Sequence, residues 1–279
     1  MEELAYLYET DKSHDDHKYV DVYASLFDSI RDRVSNFTEI GVATGQSMQM
    51  WNDYFHNAKI YGLDKQVGKF VRAHFVTQPR VKLKQCDAYS RSTTGLEAAK
   101  APCGLAWSEG SMDIIIDDAQ HVQHSMEKLL VHFWRFVRPG GYYIIEDVGN
   151  DAQGLEEMNE NAFTSAEARQ IVEANHAYFI DPLFGHRNFS HFANTSVWGN
   201  KIIESRTRHA NHMAIIRKRA PAHPGQPWRQ FWGATEEGHL LGAMTLNWMP
   251  KYYIRNFGEH SPEHRHWMEL TKTFPPPPP

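Results

Sequence analysis

Five short apolar runs in the first 150 residues each end at, or carry, an acid. Phe37-Thr38-Glu39-Ile40 carries Glu39, and residues 59–63 stop at Asp64. Residues 81–86 stop at Asp87, residues 114–116 at Asp117-Asp118, and residues 142–145 at Glu146-Asp147. The runs have strand length and are separated by stretches with helical spacing, such as 48–55 and the amphipathic 122–137, whose Met126, Leu129, Leu130, Phe133 and Phe136 share one face. Strands alternating with helices predict an α/β fold whose mostly parallel sheet is covered on both faces. Parallel neighbours would crowd Asp117, Asp118, His121, Glu146 and Asp147 on one rim, where open α/β sheets bind ligands. Carboxylates so placed repel one another unless a cation or a shared proton offsets them.

The rest of the 279-residue chain is organised around that core. Residues 1–35 read as an N-terminal helical cap, with Leu4, Leu7 and Tyr8, then Val22, Leu26 and Ile30, at helix spacing around a polar stretch, 10–19. Residues 36–219 form the core. Within it, 148–199 reads as an irregular insertion, a lid over the rim. Residues 201–205 and 213–216 flank a polar link too short for a helical crossover, so they are expected to pair antiparallel. Residues 220–279 form an extension that opens with a Pro-rich linker, holds Trp228, Trp232, Trp248 and Trp267, and ends in five prolines.

A net charge of −5 gives no electrostatic case for nucleic acid or an anionic membrane. The acidic start lacks the apolar core of a signal peptide, and no apolar run approaches the roughly 18 residues of a membrane span. With only Cys86 and Cys103, a reducing compartment is the plain reading, and a cytoplasmic location is expected. A homodimer or higher homo-oligomer is left open.

Glu39-Ile40-Gly41-Val42-Ala43-Thr44-Gly45 is a strand, a turn and the start of a helix. It lacks the Gly-x-Gly-x-x-Gly dinucleotide fingerprint, because Ala43 stands at the second glycine, and no Gly-Lys-Ser/Thr follows to make a P-loop. By itself it is also consistent with a plain strand-to-helix turn. Asp64 sharpens it: about twenty residues on, a carboxylate at the next strand end can accept hydrogen bonds from a ribose diol. Asp87 is placed to reach an adenine.

These residues resemble class I S-adenosylmethionine-dependent methyltransferases over about residues 1–218. The resemblance rests on Glu39-x-Gly41-x-x-x-Gly45, Asp64, Asp87-Ala88 and the Asp117 strand. It is strongest for the Mg²⁺-dependent O-methyltransferases that act on sugars of macrolides and related natural products. Asp118-Ala119-Gln120-His121 and Glu146-Asp147 resemble that subgroup's Asp-x-x-His and Glu-Asp. Thr10-Asp11-Lys12 with His17-x-Tyr19 resembles its N-terminal motif, and Asn211-His212-Met213 its last strand. The subgroup usually has Gly-Ser where this chain has Ala119-Gln120. The resemblance implies a Rossmann-like, seven-stranded, mostly parallel sheet with an antiparallel last strand. It implies a cofactor site at Glu39, Gly41, Gly45, Ser47, Asp64, Asp87, Ala88 and Asp117, joined by Thr10, Lys12 and Tyr19. It further implies Mg²⁺ on Asp118, Glu146 and Asp147, His121 as base, S-adenosylhomocysteine as product and a small-molecule acceptor.

The residue types suit such chemistry. A neutral hydroxyl is a poor nucleophile, and a hard cation on oxygen ligands lowers its pKa while histidine takes the proton. Other readings stand beside this one. His124, three residues beyond His121, competes for the base role, and a His121–His124 zinc site is disfavoured by the oxygen-rich set. A carboxylic acid acceptor would need neither base nor metal, with Arg187 or Arg138 holding the acid. A nicotinamide-dependent oxidoreductase and a non-catalytic partner subunit are readings of another class.

Overall fold

The structure, a computed structural model, describes residues 1–13, 16–89, 102–148, 163–180 and 213–219. One sheet contains β1 (Asn36–Ile40), β2 (Lys59–Asp64), β3 (Val81–Gln85), β4 (Met112–Asp117), β5 (Val137–Ile145), β6 (His176–Ile180) and β7 (Met213–Arg217). Their order is β3-β2-β1-β4-β5-β7-β6. The first five are parallel, and β7 runs antiparallel to both β5 and β6. β4 and β5 are parallel neighbours, with Asp117 opposite Ile145, so both acid pairs reach the same rim.

Period-two alternation divides the core between the two faces of the sheet. Phe37, Ile114, Ile116, Tyr142, Ile144, Met213 and Ile215 point to one face. There they pack on α1 (Glu2–Leu7), α2 (Tyr19–Phe27), α3 (Gln46–Tyr54) and α4 (Lys69–Phe75). Ile40, Ile115, Tyr143, Ile145, Ala214 and Ile216 point to the other, against α5 (Gln123–Phe133) and α6 (Ala166–Ala174). Every residue of β4 is buried. This is why its apolar run is continuous rather than alternating, and each buried isoleucine contributes about 1.5–3 kcal/mol.

Two expectations are corrected. The segment read as irregular, 148–199, contains α6 and β6. Ser165 caps α6 by accepting from the Ala168 amide, and Glu127 of α5 accepts from the Thr164 and Ser165 amides just before it. The antiparallel partners of β7 are β5 and β6, while residues 201–205, expected to pair with it, lie outside the described residues. Finally, Cys86 and Cys103 are not free thiols: they form a disulfide with Cα atoms 5.6 Å apart. Residues 149–162, 181–212 and 220–279, holding most of the expected lid and the whole C-terminal extension, lie outside the described residues. No helix among the described residues is long and apolar enough to cross a membrane.

Candidate functional site

The rim opens into a cavity of about 640 Å³. One wall is the N-terminal segment, through Ala5, Tyr6, Glu9, Thr10, Asp11, Ser13 and Asp16. The opposite wall is the β1–α3 turn, from Gly41 to Thr44 with Gln46 and Ser47, together with Asp64. Asp118, Ala119 and His121 close one end.

The turn has a tightly specified backbone. Gly41 sits at φ 95°, and a Cβ there would lie 1.9 Å from the Asp118 carbonyl oxygen, so only glycine lets β1 meet β4. Ala43 adopts φ 45°, a conformation glycine takes more readily. One Asp64 oxygen accepts from the Val42 and Ala43 amides, at 2.8 and 3.0 Å, and the other from the Gln66 amide. Asp64 therefore both orders the turn and faces the cavity.

Of the expected cofactor residues, Thr10, Gly41, Ser47 and Asp64 line this cavity, while Glu39, Gly45, Asp87, Ala88 and Asp117 do not. Gly45 precedes α3 at φ 83°. Glu39 is fully buried and accepts from Ser47 Oγ and Trp51 Nε1. Burial pushes its carboxyl up to about 7, against the lowering effect of Lys12. Asp117 is buried beside Tyr143, and burial, then the Asp118 charge, holds its carboxyl well above the usual range. Asp87 is exposed, accepting from the Tyr89 amide, and Ala88 is buried.

Lys12 and Tyr19, expected at the cofactor, face the acid cluster instead. Lys12 Nζ lies 2.5 Å from Glu146 Oε2 and 2.7 Å from Asp118 Oδ2. Burial alone would lower the pKa of this ammonium, but Asp118, Glu146 and Glu39 outweigh it and hold it well above its ordinary value. Tyr19 donates to Asp147 Oδ1 at 2.7 Å, and Tyr23 donates to Glu146 Oε1. Tyr23 was not anticipated. Its place four residues after Tyr19, on the same face of α2, is the signal that could have found it.

His121 stands between two acids, with Nε2 3.8 Å from Asp118 Oδ1 and Nδ1 3.7 Å from Asp147 Oδ2. Both gaps exceed a hydrogen bond. Its buried Nδ1 has no hydrogen-bond partner among the described residues. Ligand atoms of Asp118, His121 and Asp147 all lie within 4.8 Å of one another, close enough to share an ion. His121 and Asp147 both have φ 52°, left-handed conformations costing about 1–3 kcal/mol each. Strain at two residues that face each other supports a functional reading of both. The donor set fits a divalent cation: two carboxylates supply hard oxygen ligands, and the gap beside Nδ1 leaves a polar atom to be satisfied.

The other candidates lie elsewhere. His124 is exposed on the first turn of α5 and does not line the cavity. Gln120 is exposed and accepts from Ser125 Oγ at 3.2 Å. Arg138 pairs with Asp113 at 2.7 Å, at the opposite end of β4 from the rim, where it cannot clamp an acid acceptor. Arg187 lies outside the described residues.

No protein-family model matches the chain. Among curated proteins, it is 30% identical over 139 residues to 8-demethyl-8-alpha-L-rhamnosyl tetracenomycin-C 2'-O-methyltransferase of Streptomyces olivaceus, covering 47% of this chain and 33% of that one. It is 29% identical over 158 residues to demethylmacrocin O-methyltransferase of Streptomyces fradiae, covering 53% and 36%. It is 29% identical over 155 residues to mycinamicin VI 2''-O-methyltransferase of Micromonospora griseorubida, again covering 53% and 36%. The matches thus span about a third of each curated relative's length. Among solved structures, the MycE methyltransferase of the mycinamycin pathway, in complex with Mg and SAH, superposes with a TM-score of 0.50 at 21% identity. That match covers 81% of this chain and 56% of that one, and shows the shared fold. Over about half its length, the chain is similar in sequence to these three O-methyltransferases.

Proposed function

We propose that the chain is an S-adenosylmethionine-dependent O-methyltransferase that methylates a hydroxyl of a small-molecule natural product with the help of Mg²⁺. The observation that carries the reading is one cavity with two chemically different ends: a glycine turn and Asp64 at one, His121 between Asp118 and Asp147 at the other. The Gly41–Ser47 turn and Asp64 would take the nucleoside part of the cofactor. Asp118 and Asp147 would hold the cation. Bound there, S-adenosylmethionine supplies the methyl electrophile and the cation lowers the acceptor hydroxyl's pKa. His121 then takes the acceptor's proton at whichever imidazole nitrogen is free, while the acids on either side stabilise the imidazolium. The N-terminal segment would wall one side of the acceptor, and in-line placement lowers the barrier further.

Calorimetric titration tests the cofactor half directly: S-adenosylhomocysteine should bind and NAD⁺ should not. Absence of S-adenosylhomocysteine binding by folded protein would sink the reading. Turnover on a panel of glycosylated natural products should disappear in EDTA and return with Mg²⁺. Turnover indifferent to chelation would move the assignment to a carboxyl acceptor.

A further inference from the structure

Asp147 lies two residues beyond the end of β5, and its backbone is left-handed at φ 52°. A residue other than glycine keeps such a conformation only where its surroundings hold it. The hold comes from 128 residues earlier in the chain. Tyr19, the first residue of α2, is fully buried, and its hydroxyl meets Asp147 twice. It accepts from the Asp147 backbone amide at 3.2 Å and donates to Asp147 Oδ1 at 2.7 Å. Two contacts from one oxygen atom fix the backbone and the carboxylate together. With Oδ1 so engaged, Oδ2 lies toward His121, 3.7 Å from Nδ1. Tyr19 is held in turn. Its ring meets those of His17 and Tyr23 edge-on, with centroids 5.2 and 6.4 Å away. The helix that it opens buries Val20, Val22, Leu26 and Phe27. His17 Nδ1 also faces Asp147 Oδ1, but at 3.7 Å it is beyond a hydrogen bond, so the phenol and not the imidazole holds that oxygen.

We propose that Tyr19 is a positioning residue for Asp147, holding its amide and one carboxylate oxygen so that the other oxygen is aimed at the space shared with Asp118 and His121. This rests on the assignment of the rim acids to a divalent cation, with or without Glu146 as a further ligand. Ligand atoms of Asp118, His121 and Asp147 lie within 4.8 Å of one another, so a small rotation of the Asp147 carboxylate decides whether the three can meet one ion. Free of the phenol, that carboxylate would turn about its side-chain bonds and the left-handed backbone would relax. The ion would then have to order its own ligand on binding, which weakens it. A phenol suits the task because it is neutral: it orients the oxygen without adding a charge that repels the cation.

Mn²⁺ titration of the full chain, followed by calorimetry and by the paramagnetic resonance of the free ion, tests this. Tyr19→Phe keeps the ring and removes only the hydroxyl. It should bind Mn²⁺ about 10–100-fold more weakly than wild type, the scale that partners of metal ligands typically command, with S-adenosylhomocysteine affinity unchanged. Tyr54→Phe is the control. Its hydroxyl donates to Asp28 at 2.7 Å, neither residue lines the cavity, and Mn²⁺ affinity should stay as in wild type. If Tyr19→Phe folds poorly, amide hydrogen exchange of the metal-free wild type decides without a variant: the Asp147 amide should be protected by its bond to the phenol. Exchange of that amide at the rate of an open chain overturns the proposal. So does Tyr19→Phe binding Mn²⁺ as tightly as wild type, or Tyr54→Phe losing as much affinity. A wild type that binds no Mn²⁺ overturns it together with the cation half of the proposed function. The cofactor half is judged separately by S-adenosylhomocysteine.

Discussion

The two ends of β4 carry acids in opposite circumstances. At the start, Asp113 is 1% exposed: the Ser35 and Asn36 amides both donate to Oδ2 at 2.8 Å, and Arg138 pairs with Oδ1 at 2.7 Å. Its donors are backbone and arginine, which cannot give up their protons at neutral pH. At the other end, Asp118 and Asp147 each spend one oxygen on a side chain and turn the other toward a histidine beyond hydrogen-bond reach. Glu127, with the Thr164 and Ser165 amides, belongs with Asp113. Acids that hold the fold together have donors fixed by the backbone. The rim acids proposed to hold a cation each leave one oxygen turned toward His121, and Asp147 and His121 both hold left-handed φ angles.

Substitutions should separate the two kinds. The largest effect is expected at the rim. His121→Ala should lower turnover by about 10²–10⁴-fold, the usual contribution of a general base, with S-adenosylhomocysteine affinity unchanged in calorimetry. If Mn²⁺ affinity collapses together with turnover, His121 is a ligand rather than a base. Next comes Asp113→Ala, which removes the acceptor of the Ser35 and Asn36 amides and should cost about 3 kcal/mol in denaturant unfolding, while turnover per folded molecule stays as it was. A loss of turnover without a loss of stability would erase the distinction between the ends of β4.

Asp64→Ala should weaken S-adenosylhomocysteine binding by about 1.5–3 kcal/mol, the worth of hydrogen bonds to a charged group, read by calorimetry. Unchanged affinity removes Asp64 from the ribose. The smallest effect is expected at Glu127. Burial would raise its pKa, but the Thr164 and Ser165 amides outweigh burial and hold it below its ordinary 4.5. Because the folded value is the lower one, its stabilisation is present above pH 4.5 and fades as pH falls through the folded value. Glu127→Gln should therefore cost about 1 kcal/mol at neutral pH and flatten the acid limb of the stability curve, as followed by thermal unfolding. An acid limb identical to wild type would contradict the amide contacts.

What could be read from the sequence follows sequence distance. The strand-ending acids, the glycine turn and the shared rim of β4 and β5 rest on local patterns and regular crossovers, and they were legible. α6 and β6 were not: the apolar face of α6, Ala168 and Val172, was passed over, and β6 is placed by pairing with β7 far along the chain. The acid partners of Lys12 were missed for the same kind of reason. Its motif is short and polar, and its partners are 106 and 134 residues away, so no local spacing points to them. The sequence did show that so many carboxylates need a positive charge. It did not show that the chain carries one of its own.

The wall contributed by the N-terminal segment also has a temporal side. In synthesis, Lys12 emerges 134 residues ahead of Glu146. At ordinary ribosome speeds that interval is roughly 7–27 s, long compared with helix and hairpin formation. For that time the lysine and the two tyrosines of α2 have no acids to meet. This stretch is thus made well before its final neighbours, and the pocket is completed only when the nascent chain has grown past β5.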